Sequence, residues 1–128
     1  MFNVINSERR RGSRWPAIRA SRAAGAEAGE TPEDAAAREV LEETGWRAGA
    51  LRPLAVYHPS NGLNDQTFHV FVASGAEYVS DPSDPSESER VEWLPLAEVK
   101  AAVRGGQVRD GLSLTALAMA MLFEFPVE

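Results

Sequence analysis

The stretch ETPEDAAAREVLEETGW, residues 30–46, decides the fold. Thr31 is a typical N-cap residue, Pro32 stands at the first helical position, and Asp34 can act as a capping-box acid. Apolar side chains then recur with helical spacing. Gly45 supplies the left-handed conformation that commonly ends a helix. The stretch therefore predicts a helix that ends just before this glycine.

Advancing 100° per residue, this helix has one apolar and one acidic face. The acidic face carries Glu39, Glu42 and Glu43. Glu39 and Glu43 are i, i+4 neighbours, and like charges at that spacing repel each other. A hard divalent cation with oxygen ligands would neutralise them. The alternative is a solvated acidic face on which Arg38 pairs with Glu42, and helix geometry leaves both interpretations open.

Beyond this helix, strand and helix patterns alternate. The predicted elements are strands at 51–58, 67–73 and 90–94, and helices at 96–104 and 112–123. Turn residues at 59–62 separate the first two strands, and an acidic loop is expected at 75–89. Strands and helices interleaved in this way indicate an α/β (α+β) domain, with one sheet flanked by helices.

Composition excludes several kinds of site. With 128 residues, 44% hydrophobic and 25% charged, the chain has the make-up of one ordinary globular domain. It has no cysteine and only two histidines, which excludes thiolate chemistry and a histidine-rich metal site. Carboxylates would have to hold any metal. No apolar stretch is long enough to span a bilayer, and no signal-peptide pattern is present, so we expect a cytoplasmic protein without membrane contacts.

The first 22 residues differ from the rest. Residues 1–24 contain six arginines against one acid, although the whole chain carries a net charge of −6. The acidic remainder disfavours binding to nucleic acid. Residues 1–22 show neither strand nor helix periodicity. We therefore expect an atypical, basic and poorly ordered segment at 1–22, followed by the domain at 23–128.

The helix stretch also resembles the Nudix box, G-x5-E-x7-R-E-U-x-E-E-x-G-U, where U is aliphatic. The matching positions are Glu30, Arg38-Glu39-Val40, Glu42-Glu43 and Gly45-Trp46. Every charged position of the pattern is present. Ala24 departs from the first glycine of the box, and Trp46 departs from its last aliphatic position. The resemblance covers about residues 23–128 and implies a Nudix-type α/β/α sandwich, with a mixed central sheet flanked by helices.

This resemblance implies hydrolysis of a nucleoside diphosphate linked to another group, with Mg²⁺ as cofactor and Mn²⁺ as a substitute. Bound metal ions would offset the repulsion between an acidic helix and an anionic diphosphate, and would lower the pKa of an attacking water. By position, the metal ligands would be Glu39, Glu43, a supporting Glu42 and the backbone carbonyl of Ala24, while Glu30 and Arg38 would hold the preceding loop against the helix. Glu42 would also be a candidate catalytic residue.

Two later segments resemble the ADP-ribose pyrophosphatase subgroup. Glu87-Ser88-Glu89 resembles the loop that supplies a general base there, and a glutamate can accept a proton from metal-bound water. The alternative is an exposed acidic loop. The segment containing Pro59, Ser60 and Gly62 resembles a substrate-contacting segment. ADP-ribose, split into AMP and ribose 5-phosphate, is therefore the expected substrate, and a homodimer is an open expectation.

A second hypothesis comes from another functional class. Ala24, together with the absence of strand patterns upstream, favours a catalytically impaired Nudix fold that binds nucleotides as a sensor, or a truncated or frame-shifted gene product in which residues 1–22 are not native. The complete set of Glu39, Glu42 and Glu43 favours the enzyme.

Overall fold

A computed structural model describes the backbone of residues 4–5 and 16–22, and residues 27–81 and 93–123 in full. Helix α1 spans Pro32–Thr44, as the sequence predicts. The Thr31 hydroxyl accepts a hydrogen bond of 3.1 Å from the backbone N–H of Asp34. Gly45 adopts a φ of 74° and donates its N–H to Leu41 O. The cap and the stop thus define this helix at both ends.

The other elements form two small sheets and two further helices. They are β1 (Val4–Ile5), β2 (Pro16–Arg22), β3 (Trp46–Ala48), β4 (Leu51–Tyr57), β5 (Phe68–Ser74), β6 (Ala76–Tyr78), α2 (Leu96–Arg104) and α3 (Gly111–Phe123). One sheet has the order β1-β2-β5-β4, and β3 pairs with β6 in the other. Helices and strands in this arrangement confirm the α/β class. In the described strands every pairing is antiparallel, so the parallel pair of a mixed sheet is not among them.

Strand β2 corrects the expectation that the N-terminal residues contain no strand. It pairs with β5 along its whole length, from Pro16 opposite Ser74 to Arg22 opposite Phe68. Strand β1 pairs with its other edge. The sheet supplies backbone partners for β2, along its whole length from β5 and at Ala17 and Ile18 from β1, so the strand forms without an alternation of side chains in the sequence.

The remaining differences are small. The sequence did not predict β3, and β6 lies within the expected acidic loop. Only Trp93 and Leu94 of the predicted strand 90–94 fall within the described residues. In the described ranges, no helix has the length and apolar character needed to cross a membrane.

Strand β5 is the centre of the core. Its buried residues include Val70 and Val72 on one face, and Phe71 on the other, because side chains alternate along a strand. The first face packs against α2 and α3, in a cluster of Val70, Val72, Val99, Val108, Ala116, Leu117 and Ala120. The other face turns towards α1, whose Ala35 and Ala36 are fully buried. Burial on both faces of β5 positions α1 against the sheet.

We expect Gly45→Ala to destabilise the fold by about 3 kcal/mol, because a Cβ at a positive φ is strained and this one would also collide with the Ser80 carbonyl oxygen. Gly29 is the matched control. It has a φ of 84°, and no atom lies within 4 Å of the position that a Cβ would occupy there, so Gly29→Ala should cost only about 1 kcal/mol. Urea unfolding of both variants measures the difference, and equal losses would show that the contact with Ser80 does not matter.

Candidate functional site

Helix α1 presents its acidic residues on the side away from the core. Ala36 and Val40 face the interior, at 0% and 8% exposure. Glu39 and Glu43 are half-buried one helical turn apart, and Glu42 beside them is exposed. The confirmed helix therefore keeps Glu39 and Glu43 on adjacent turns of one face, as an i, i+4 pair requires.

Arg38 joins this helix to the loop before it. Its Nε lies 2.9 Å from Glu30 Oε1, and its Nη2 lies 3.0 Å from Glu30 Oε2. Such a two-point contact fixes the orientation of both groups. Nη1 of the same guanidinium lies 3.0 Å from Glu42 Oε2. We call Glu30, Arg38 and Glu42 the arginine clamp.

The clamp also orders the loop itself. Glu30 Oε2 accepts a hydrogen bond of 2.8 Å from the backbone N–H of Glu27. The hydrogen bonds from Arg38 and Glu27 hold the pKa of Glu30 below its ordinary value of 4.5. The paired carboxylates hold the pKa of Arg38 above its ordinary value. At neutral pH Glu30 and Arg38 are thus both charged, and the same guanidinium also contacts Glu42.

The structure describes some of the predicted metal ligands and not others. Among them, no group of three or more histidine, aspartate or glutamate side chains is gathered closely enough to hold an ion. Glu39 and Glu43 offer hard carboxylate oxygens, which suit a hard divalent cation. The predicted ligand Ala24 and the predicted bases Glu87 and Glu89 lie outside the described residues.

The predicted substrate segment forms a surface turn between β4 and β5. Ser60 O accepts hydrogen bonds from the N–H groups of Leu63 and Asn64, at 2.9 and 3.2 Å. Gly62 has a φ of 88°, which favours glycine. His58 Nδ1 lies 3.2 Å from Gln66 O. These local contacts give Pro59, Ser60 and Gly62 a defined turn, and the role of the turn remains a prediction.

Sequence reasoning missed a groove of about 390 Å³. It lies between the start of α1 and strands β4 and β5, and its lining includes Pro32, Val56, His69 and Phe71. Residues from three separate elements form it. No local sequence signal could have predicted it, because the strand register brings these residues together.

A second missed feature is the aromatic cluster, which consists of Trp46, Tyr78 and Trp93. The Trp46 ring meets the Trp93 ring edge-to-face, with a centroid separation of 4.8 Å. It meets the Tyr78 ring at 5.5 Å. Trp46 and Trp93 are both half-buried. The sequence signal for this cluster was the tryptophan at position 46, where the box pattern has an aliphatic residue.

We expect Glu30→Gln to destabilise the protein at pH 7. Because the pKa of Glu30 is lower in the folded state than its ordinary value of 4.5, its stabilisation is fully present above about pH 4.5. It is lost as the pH falls through the folded-state pKa. The difference in melting midpoint between wild type and variant should therefore shrink below pH 4.5. Glu98→Gln, at an exposed position on α2, is the control. A difference independent of pH would contradict the role of the clamp.

The sequence of this chain is similar to those of known proteins. The NUDIX domain family model matches residues 7–112. A CMP-5'-(N-acetyl-N-hydroxy-3-aminopropyl)phosphonate hydrolase of Streptomyces rubellomurinus is 37% identical over 91 residues, which cover 70% of this chain and 44% of that protein. The ADP-ribose pyrophosphatase of Bacillus subtilis is 32% identical over 100 residues, which cover 77% of this chain and 54% of that protein.

A third relative, the GDP-mannose pyrophosphatase of Citrobacter koseri, is 30% identical over 89 residues, covering 67% of this chain and 47% of that protein. The chain thus spans about half the length of the curated relatives it matches. The family match extends over most of the chain and includes α1, with its arginine clamp and its paired carboxylates. This chain belongs to the Nudix family.

Proposed function

We propose that this protein is a metal-dependent hydrolase that cleaves the diphosphate bond of a nucleoside diphosphate linked to another group, with ADP-ribose as its substrate. The products are AMP and ribose 5-phosphate. The observation that carries the proposal is the face of α1, where Glu39 and Glu43 stand on adjacent turns beside an arginine that already pairs with Glu30 and Glu42.

The three glutamates on the acidic face of α1 do not all have the same part in this proposal. Glu42 shares the charge of Arg38, so we give it a supporting role. Glu39 and Glu43 are the main ligands for Mg²⁺, which Mn²⁺ can replace, with the carbonyl of Ala24 as a further ligand. When bound, the metal offsets the charge of the diphosphate and lowers the pKa of a water molecule. The arginine clamp holds the described part of the loop before α1, residues 27–30, against the helix.

The protein must also accept a proton. When water adds to one phosphorus atom, the bond from that atom to the bridging oxygen breaks, and the water gives up a proton. We assign this proton to the carboxylate of Glu87 or Glu89, because a glutamate at hydrogen-bond distance from the water can act as a general base. These residues precede Trp93, whose ring contacts Trp46 two residues beyond Thr44.

The relatives support the substrate class. Two are named pyrophosphatases, one for ADP-ribose and one for GDP-mannose, and a third is named as the hydrolase of a CMP-linked phosphonate. Each name describes a compound in which a nucleotide is linked to another group. We choose ADP-ribose because the turn with Pro59, Ser60 and Gly62 resembles that subgroup, and we propose that this turn contacts the substrate.

A catalytically impaired nucleotide-binding domain is the second candidate. Ala24 favours it, because the box pattern has glycine at this position. Such a domain would bind ADP-ribose without turnover. The two candidates therefore differ in product release, which a coupled phosphatase detects because it acts on AMP and ribose 5-phosphate.

With Mg²⁺, we expect release of both monophosphates from ADP-ribose, and slower release from GDP-mannose. Millimolar Mg²⁺ should also raise the melting midpoint, because an ion that binds only the folded state stabilises it. Glu43→Gln should abolish turnover and this shift, whereas Glu98→Gln should change neither. Binding of ADP-ribose without product would support the impaired domain, and wild-type turnover by Glu43→Gln would refute the assignment of the ligand.

We expect Glu87→Gln or Glu89→Gln to lower kcat by roughly 10²–10⁴-fold, the usual contribution of a general base. The stabilisation by Mg²⁺ should largely remain, since the base is not the main ligand. Single-turnover rates and melting midpoints measure the two effects separately. If both variants keep full activity, the proton is accepted elsewhere.

A further inference from the structure

The groove beside the start of α1 has a floor that the strand register builds. His69 and Phe71 stand on the same face of β5, because side chains alternate along a strand. On β4, Val56 lies opposite His69, and Pro53 lies opposite Phe71. A register shift between Pro53 and Ala55 adds one residue to β4, so that Pro53 and Val56 share this face although they are three residues apart. The four side chains therefore form one continuous patch.

Two rings of this patch have nearly the same orientation. The ring centroids of His69 and Phe71 lie 6.5 Å apart, and the two ring planes differ by 16°. Phe71 is 4% exposed and belongs to the floor of the groove, whereas Val56 is 59% exposed at its rim. A flat ligand can pack its face against both rings at once, which a branched aliphatic group cannot. The groove therefore favours a planar ring.

The first turn of α1 adds a hydrogen-bond acceptor and a donor to the lining, through Glu33 and Thr31. The carboxylate of Glu33 has acceptor oxygens only. Thr31 Oγ1 accepts a hydrogen bond from Asp34 N–H, which leaves the hydrogen of its hydroxyl for donation. A ligand that fits this edge of the groove therefore presents a donor next to an acceptor.

We propose that this groove binds a nucleobase of the adenine type: the base packs against the rings of His69 and Phe71, its amino group donates to Glu33, and the neighbouring ring nitrogen accepts from Thr31. Adenine carries such a donor and acceptor side by side on one edge. A volume of about 390 Å³ and a mostly apolar lining with a few polar groups are typical of small-molecule sites. Binding of a base needs neither the metal nor its ligands, so this inference does not depend on the proposed reaction.

Two sources can supply the base. One is the adenine of ADP-ribose during hydrolysis, and the other is a free nucleoside that binds apart from the reaction. Glu33 precedes Glu39 by six residues, or roughly 9 Å along the helix axis, and lies about 120° from it around that axis. The groove is thus next to the acidic face of α1 but on another side of the helix, and competition experiments distinguish the two sources.

The first test is the binding of adenosine, measured by titration calorimetry without added metal. We expect adenosine to bind in the millimolar range or more tightly. Purine riboside lacks the amino group, and it should bind about 5-fold or more weakly because the hydrogen bond to Glu33 is lost. Amide chemical shifts should change at residues 31–33, 56 and 69. A lack of binding at millimolar adenosine, or shifts confined to other residues, would overturn the proposal.

Variants of the groove test the two kinds of contact. Glu33→Gln should bind adenosine about 5-fold or more weakly and should lose the preference for adenosine over purine riboside. Glu98→Gln is the matched control, because both glutamates are exposed in the first turn of a helix; it should change neither property.

His69→Ala should weaken binding roughly 5- to 150-fold, the range for stacking of a base on an aromatic side chain, whereas His69→Phe keeps a ring and should retain most of the affinity. Wild-type binding in both Glu33→Gln and His69→Ala would overturn the proposal. If His69→Ala does not fold, the comparison of Glu33→Gln with Glu98→Gln decides.

Competition with ADP-ribose in the presence of EDTA identifies the source of the base. If adenosine displaces ADP-ribose, and Glu33→Gln raises KM with little change in kcat, the groove holds the adenine of the substrate. If both ligands bind together, the groove is a separate nucleoside site, and the proposal stands in either case. A wild type that binds adenosine here but has no turnover refutes the proposed function and retains the site.

Discussion

The close approach of Gly45 to the backbone of Ser80 is the constraint on which the rest of this structure depends. A residue with a side chain could neither adopt the positive φ without strain nor fit against the Ser80 carbonyl. At this one point α1 ends, β3 begins and the chain after β6 crosses. The direction of the acidic helix and the start of the segment that follows β6 are thus set by the same backbone contact.

The glutamates in and beside α1 have different parts in the structure and in the proposed site. Arg38 pairs with Glu30 and Glu42, which orders the preceding loop, whereas the proposed metal site relies mainly on Glu39 and Glu43. Two interpretations of the sequence, a metal site and an acidic face relieved by Arg38, are therefore compatible. Arg38 does form an ion pair with a glutamate of the acidic face, but that glutamate is Glu42, which has only a supporting role in the proposed metal site.

The names of the relatives describe one narrow type of compound, a nucleotide linked to another group. The named relatives differ in the nucleotide and in the attached group. The turn at residues 59–62 and the groove between the start of α1 and strands β4 and β5 are two described surfaces that include neither Glu39 nor Glu43.

The sequence by itself determined α1 and its ends, the faces of that helix, helix α2 and the approximate limits of β4, β5 and α3. These features depend on contacts within a few residues, such as the Thr31 cap and the Gly45 stop. Only the tertiary structure decided that Pro16–Arg22 is a strand, because β5 pairs with its whole length and β1 with two residues of its other edge. The same holds for the aromatic cluster. Trp46, Tyr78 and Trp93 are far apart in the chain, and only the β3–β6 pairing and the chain that returns at Trp93 bring their rings together.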